Sequence, residues 1–450
     1  MDNATYIALT RFGLGINPSL SPTHITHPKS WLLEQCQSPL LLQQGLSSTD
    51  SLKSIFRYRQ LKAANKKRRL NQDEQQQFKQ LQLLPRKNLI KHATEVAHLA
   101  IHSASGIQLR LFDFFSNHFS ITTHNKFMKF IAPSFEQEVI AAHLNHRFED
   151  MLLASCQHPA MLVYLNNELS IGPDSFAGKK KTKNINENLA REILELHTLG
   201  VEGPYNQQDV EQLALALTGW SIPKAQDDFS SPFLYRKGFH QPGPKTLLKI
   251  TFRQKDHKQA QEMLKMLANH PATAKHISYK LAQYFISDKP EPKLVNKLTQ
   301  SYLASRGHIP TLMKALIEAP ECWQPIAQKF KTPREFVISS LRASNTQNGL
   351  AKKWLPILKS LGQLPFQAGS PAGYSVQQVD WLSPNNMYIR ANFAYELAAR
   401  WQTKVKSVQS LVDTLFANHV SQHSSTHILR AETKQQALTM ILMSPEFLKR

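Results

Sequence analysis

The sequence predicts a large, mostly α single domain with a long basic helical arm and one small β-hairpin. Apolar residues recur at helical spacing over most of the 450 residues, and 25 prolines punctuate those runs. One stretch alone, 232–252, reads as strands around a strong turn. Glycine, at 16 residues in 450, is about half its usual ~7 %. That argues against a glycine-rich sandwich, a collagen-like repeat or a long flexible linker. A composition 41 % hydrophobic suffices for a sizeable core and excludes a wholly disordered chain. No internal repeat of ~20–50 residues is visible.

In order along the chain, residues 1–50 read as short N-terminal helices separated by turns. Residues 51–92 carry twelve Lys or Arg against Asp73 and Glu74, a net +10 within a chain of net +21. Leu52, Ile55, Phe56, Leu61, Leu70, Phe78, Leu81 and Leu84 recur roughly at helical spacing there. They predict a basic arm of one or two long, partly exposed helices. Residues 93–222 are core helices, interrupted by a charged loop at Lys179 to Lys183. Within them, a helix over 186–199 stops at Gly200, and Asn206 with Asp209 resembles a capping box for the helix that follows. Residues 223–255 hold the hairpin, with Phe233 to Arg236 and Lys245 to Phe252 flanking Gln241-Pro-Gly-Pro. Residues 256–450 return to helices. The subregions together make one domain, 1–450.

The three cysteines, Cys36, Cys156 and Cys322, are far apart and odd in number, so no disulfide framework or cysteine-rich zinc site follows. The opening residues lack a basic region, an apolar stretch and a small-residue cleavage site. No window approaches ~18 uninterrupted apolar residues. The cytoplasm is therefore the default expectation. The phosphate-binding loop, dinucleotide fingerprint, Gly-x-Ser-x-Gly elbow and His-Glu-x-x-His motif are all missing, which lowers the case for standard nucleotide, hydrolase-elbow and zincin chemistry. No particular cofactor is implied.

The segment NENLAREILELHTLG (186–200), followed by YNQQDV (205–210) and LTGW (217–220), resembles the bacterial domain-of-unknown-function family 1800. Other stretches agree in order: ALTRFGLG (8–15), FSNHF (115–119), HPAMLVYL (158–165), HQPGPK (240–245), GQLPF (362–366) and MSPEF (443–447). The resemblance covers essentially the whole chain. Two departures stand out. Phe114-Phe115-Ser116 precedes the Asn-His-Phe motif where the family tends to have Trp, and Lys249 stands where Gly is common. The resemblance brings no accepted catalytic residues. It does imply a setting: family members are often encoded beside a second family that resembles alkaline phosphatases and carries an export signal. Some members are themselves exported, which weighs against the cytoplasm.

The 186–199 segment can also be read physically. Advancing ~100° per residue from Glu187 puts Arg191, Glu195, Asn188 and Glu192 within about 140° of it, on one polar arc. Leu189, Ile193 and Leu196 fall on the opposite side, and His197 falls off the arc at about 280°. Glu187–Arg191 and Arg191–Glu195 are favourable i,i+4 pairs, worth ~0.2–0.5 kcal/mol each if exposed. Glu192 and Glu195 oppose that gain. Three readings follow: a solvated ladder, a buried ion network tied to other cations, or a cleft in which the acids bind a metal or share a proton. Asn186 and Asn188 flanking Glu187 suggest specific hydrogen bonds at a helix start.

Each remaining candidate has a structural alternative. His118 lies on an apolar stripe with Leu111, Phe114 and Phe115. It reads first as a core or helix-end histidine and second as a base or ligand aimed at the signature helix. Glu95, His98 and His102 share a helix face at a spacing that suits a divalent metal, but 19 histidines make chance spacings common. His240 and Lys245 flank a rigid turn and could offer a base and a cation to an anionic ligand, or only close a surface hairpin. Trp220 reads as a packing anchor before a stacking platform. Lys66 to Arg69 is the densest basic patch of the arm. It suits nucleic acid or an acidic membrane surface electrostatically, but aromatic interleaving is thin, which favours a solvated or partner-facing arm.

The leading functional expectation is a helper or binding protein that works with a protein partner, the phosphatase-like neighbour among the candidates, through a buried Asn/Glu/Arg network. The alternative is a hydrolase-type enzyme using Glu192, Glu195 and His118, with or without a metal. A third is nucleic-acid binding through the arm. The helices at 105–119, 186–199 and 206–220 are expected to pack together around the one site.

Overall fold

The computed structural model describes residues 1–20, 25–43, 45–104, 106–180, 185–346 and 351–450. Lys181 to Lys183 of the expected charged loop lie outside them. Helices dominate from Asn3–Ile7 to Pro445–Leu448, and strand pairing is confined to two short antiparallel pairs among the described residues. Prolines mark helix starts: Pro28, Pro271, Pro292, Pro333 and Pro384 each sit in a first turn, where a missing N–H costs nothing. Among the described residues, no helix is long and apolar enough to cross a membrane.

The basic arm is a helical hairpin, Ser48–Lys67 followed by Gln72–His102. The turn between them is fixed by a capping box at Asn71 and Glu74 and by Arg68, which grips the Glu74 carboxylate with two bonds of 2.7 Å. Arg57 donates to Gln77, and Tyr58 stacks on Phe78 at 5.4 Å, so the helices fold back on each other. Pro85 lies buried inside the second helix without ending it. The arm rests on helix Lys126–Phe135, through Tyr58 on Phe130 and Arg59 over Phe127.

The core is cross-braced by a buried ion triad. Arg110, from helix Gly106–His118, meets Glu335, from helix Pro333–Ala343, at 2.6 Å, and Arg450 meets the same oxygen at 2.7 Å. These side chains are 1 %, 5 % and 1 % exposed respectively, so bulk water screens none of them. Arg450 also donates to the carbonyls of Tyr284 and Phe285, and Arg110 donates to that of Gly13. Gly106 is required at this junction, because a Cβ there would stand 2.9 Å from Gly13 Cα. The two guanidinium groups hold the Glu335 carboxyl far below the usual carboxylate range against the opposing pull of burial.

The β region differs from the expected single hairpin across Gln241-Pro-Gly-Pro. Strand β1 (Trp220–Ser221) pairs with β2 (Leu234–Tyr235), and β3 (Lys245–Leu247) pairs with β4 (Ile250–Phe252). The tight turn is Leu248–Lys249, with φ of +50° and +65°. Two successive left-handed residues make the kind of turn that normally takes Asn-Gly, so its side chains gave no turn signal. The same geometry explains why a glycine would suit position 249.

Two outcomes are expected. Glu335→Gln leaves two buried guanidinium groups short of a counter-charge and lowers the stability by about 3–5 kcal/mol in urea unfolding at pH 7. Lys249→Gly relieves a left-handed side chain and raises stability by up to about 1 kcal/mol in the same assay.

Candidate functional site

The signature segment is shorter and less regular than a plain helix over 186–199. Its α-helical part is Asn188–Glu192, after which Ile193–His197 forms a π turn. The wider turn rotates every later residue relative to a 3.6-residue wheel. Leu194, which that wheel places beside Glu187, is therefore fully buried, while Leu196 is half-exposed. His197 is fully buried as well. Gly200 ends the segment in the left-handed conformation, as expected, with φ of +88°. A Cβ there would also stand 2.9 Å from His276 Nδ1.

Rather than the expected buried Asn/Glu/Arg network, the polar arc forms a half-buried lattice at the surface, with the Arg191 side chain 39 % exposed. Arg191 bonds Glu187 at 3.1 Å, Glu195 at 3.3 Å and Gln207 at 2.9 Å, and Gln207 closes the ring by donating to Glu187 at 2.9 Å. Gln207 begins helix Gln207–Leu217, whose capping box at Asn206 and Asp209 is formed as expected. Glu192 stands apart. It is half-buried and joins no ion pair or hydrogen bond among the described residues. Burial, helped by the neighbouring Glu195 charge, raises its carboxyl above the usual range. Asn188 is exposed.

The ends of the signature block grip one turn. Asn186 donates its amide to the carbonyl of Asn166 at 3.1 Å, and its backbone N–H to Ser170 Oγ. From the other end, Asn167 donates to the carbonyls of Leu217 and Trp220, and Ser221 Oγ donates to the carbonyl of Glu168. Asn166 is left-handed, at φ +56°. The grip fixes how the turn presents Glu168. Trp220 is fully buried, edge-on to Phe233 at 5.4 Å.

Behind the π turn lies a cluster of imidazoles. His118 ends helix Gly106–His118, and its Nε2 donates to the carbonyl of His197 at 3.2 Å. His276 Nε2 donates to the carbonyl of Leu196, also at 3.2 Å. A carbonyl only accepts, so both rings carry their proton on Nε2. Lys280 Nζ donates to His118 Nδ1 at 3.0 Å, which uses the remaining lone pair. Neither ring nitrogen of His197 has a hydrogen-bond partner among the described residues. Burial, with the Lys280 charge second, drives His118 well below its ordinary pKa, His197 down to about 3 and His276 to about 4. Burial lowers Lys280 itself to about 8. No carboxylate forms an ion pair with it among the described residues. His118 thus faces carbonyl and ammonium, and no hydrogen bond joins it to Glu192 or Glu195.

The remaining expected residues are spread apart. His240 Nδ1 bonds the carbonyl of Thr218 at 3.0 Å. Lys245 is 2 % exposed and donates to the carbonyls of Gln241 and Gly243, so its ammonium closes the 241–244 turn from inside. Burial lowers it to about 8. Glu95 accepts from the backbone N–H of Gln43, and the His98 and His102 rings lie side by side at 4.6 Å. Among the described residues, no group of three His, Cys, Asp or Glu side chains is placed to hold a metal ion. Sequence reasoning missed Lys280, His276 and Glu168. The first two sit on a helix, Pro271–Phe285, with no motif around them. For Glu168 the adjacent Asn166-Asn167 pair was a turn signal.

A family model for a protein of unknown function, DUF1800, matches residues 7–449. The chain belongs to the DUF1800 family. No match was found among curated proteins or among solved structures. The DUF1800 signature, in this chain, is therefore a short helix, a π turn and a clamp on a neighbouring turn.

The imidazole cluster sets a pH dependence. Each folded pKa lies below the ordinary 6.5, so the unfolded chain takes up protons first as pH falls. The associated stability is full above about pH 6.5 and is lost as pH drops toward the folded values of about 4 and 3. By pH 5, His197 alone removes roughly 2 kcal/mol. Urea midpoints measured from pH 7 to pH 5 should fall accordingly. His118→Gln, which keeps a donor for the His197 carbonyl but no titrating ring, should shallow that fall.

Proposed function

We propose that this chain is a helper or binding protein that acts with a protein partner through the surface around Arg191. One observation carries the reading: the signature lattice of Glu187, Arg191, Glu195 and Gln207 is closed on itself at the surface, while His118 is committed to a backbone carbonyl and to Lys280. A self-satisfied lattice holds its charges in fixed positions, as recognition of a complementary surface requires. Exposed Asn188 and half-buried Glu192 extend the same polar arc. The partner that the family setting suggests is the phosphatase-like protein encoded alongside. A cytoplasmic or an exported location fits this reading equally well.

The alternative is a hydrolase-type enzyme using Glu192, Glu195 and His118. Glu192 favours it, since a half-buried carboxyl raised above its usual range, with no ion pair among the described residues, is the form a general acid takes. Elemental analysis of the purified wild type and of Glu192→Ala tests the metal-dependent version. Stoichiometric metal that disappears in the variant would favour the enzyme. Nucleic-acid binding through the arm has only its charge in support, and it requires affinity that falls steeply with salt and with neutralisation of Lys66 to Arg69.

The binding reading is tested by calorimetric titration of the full chain with the neighbouring phosphatase-like protein. Arg191→Met combined with Glu195→Gln should weaken the interaction at least tenfold while shifting the melting temperature by no more than a few degrees. Undiminished affinity in that variant would refute the assignment of this surface.

A further inference from the structure

A cleft of about 690 Å³ opens where the first arm helix, the start of helix Lys126–Phe135, the 163–169 turn and the 221–226 segment meet. Four cations, Arg59, Lys62, Lys126 and Lys224, line it, with Glu168 as the single acid among the described lining residues. The volume is that of a small-molecule site. Glu168 sits at the end of the turn clamped by the signature block, so its position is rigid.

The electrostatics around Glu168 are incomplete. Its Oε2 is sealed from solvent and has no hydrogen-bond partner among the described residues. Burial raises the carboxyl to about 7, against its own backbone amide and the charges of Arg59 and Lys224. Neither cation closes to ion-pair distance on it among the described residues. Arg59 lies over the rings of Phe56 and Phe127, at 5.5 and 5.4 Å. Lys224 faces Asp227 as well as Glu168, but Asp227 is held by Arg236 at 2.5 Å. Near neutral pH and below, the cleft therefore presents two cations with no ion-pair partner among the described residues, beside a Glu168 carboxyl that then adds no negative charge and the apolar flanks of Phe56, Val163 and Leu169.

We propose that this cleft binds a small organic anion, a carboxylate or phosphate monoester with an apolar body, its head between Arg59 and Lys224 and against Glu168. A single-stranded nucleic acid fits less well, because such strands need open aromatic faces for their bases. Here Lys126 caps Tyr58 at 3.7 Å, Phe78 stacks on Tyr58, and Arg59 covers Phe56 and Phe127. The proposal stands apart from the partner surface around Arg191 and does not depend on it.

Calorimetric titration of the full chain with 3-phenylpropanoate, phenyl phosphate and neutral benzyl alcohol tests it. At pH 6 at least one of the anions should bind, and the tighter of the two identifies the head group. Benzyl alcohol should bind at least tenfold more weakly. Arg59→Met with Lys224→Met, shown to be folded by circular dichroism, should lose at least tenfold in affinity. For 3-phenylpropanoate, whose own charge is constant in this range, wild-type affinity should drop about tenfold or more from pH 6 to pH 8.5 as Glu168 ionises. Glu168→Gln should bind as well at pH 6 and show no such drop. The proposal is overturned if neither anion binds at millimolar concentration, if benzyl alcohol binds equally well, or if the double variant binds unchanged. A persistent pH effect in Glu168→Gln, or tighter binding of a twenty-nucleotide oligothymidine at the same residues, would also overturn it.

Discussion

Two neutral imidazoles hold the end of the signature helix. A π turn leaves backbone carbonyls aimed away from the ladder, and buried carbonyls need donors. His118 supplies one to His197, and His276 supplies one to Leu196. The arrangement works only while the rings stay uncharged, because Lys280 stands beside them with no carboxylate among the described residues to offset it. Burial and the ammonium therefore act in the same direction. The outer side of the same segment carries the Arg191 lattice and, at its start, the grip of Asn186 on residues 166–170.

The same constraint separates chemistry from scaffolding in the signature. His118 has no free lone pair for the acids; Glu187 and Glu195 are taken up by Arg191, and Glu192 stands apart from both. What the signature delivers instead is placement. Asn186 on one side and Trp220-Ser221 on the other fasten the turn that carries Glu168. The basic arm then forms the opposite wall of the cleft. Its Arg59 lies over the rings of Phe56 and Phe127 and forms no ion pair among the described residues. At the far side, the Arg110–Glu335–Arg450 triad ties the helix that carries His118 to the C-terminal helices.

Much of the architecture could be read from the residues. The arm helices, the Gly200 stop, the Asn206 cap and the all-helical C-terminal half follow from periodicity, caps and proline placement. The failures have physical causes. A wheel at ~100° per residue cannot anticipate a π turn, so Leu194 and Leu196 were exchanged in burial. Gln241-Pro-Gly-Pro promised a hairpin, but its turn is closed by the Lys245 ammonium, and the pairing turn is Leu248–Lys249, two residues with no turn chemistry. Lys280, His276 and Glu168 owe their roles to tertiary burial. Lys280 meets His118 across a separation of 162 residues. No local pattern records a contact of that kind.

The charge state of the His118 ring tests the central claim most directly. Long-range nitrogen–proton correlation spectra of imidazole-labelled protein, recorded from pH 8 to pH 5, report protonation and tautomer together. A neutral ring with its proton on Nε2 throughout that range is the predicted result. Titration of His118 near pH 6.5, or a proton on Nδ1, would contradict it and return the histidine to the list of working bases.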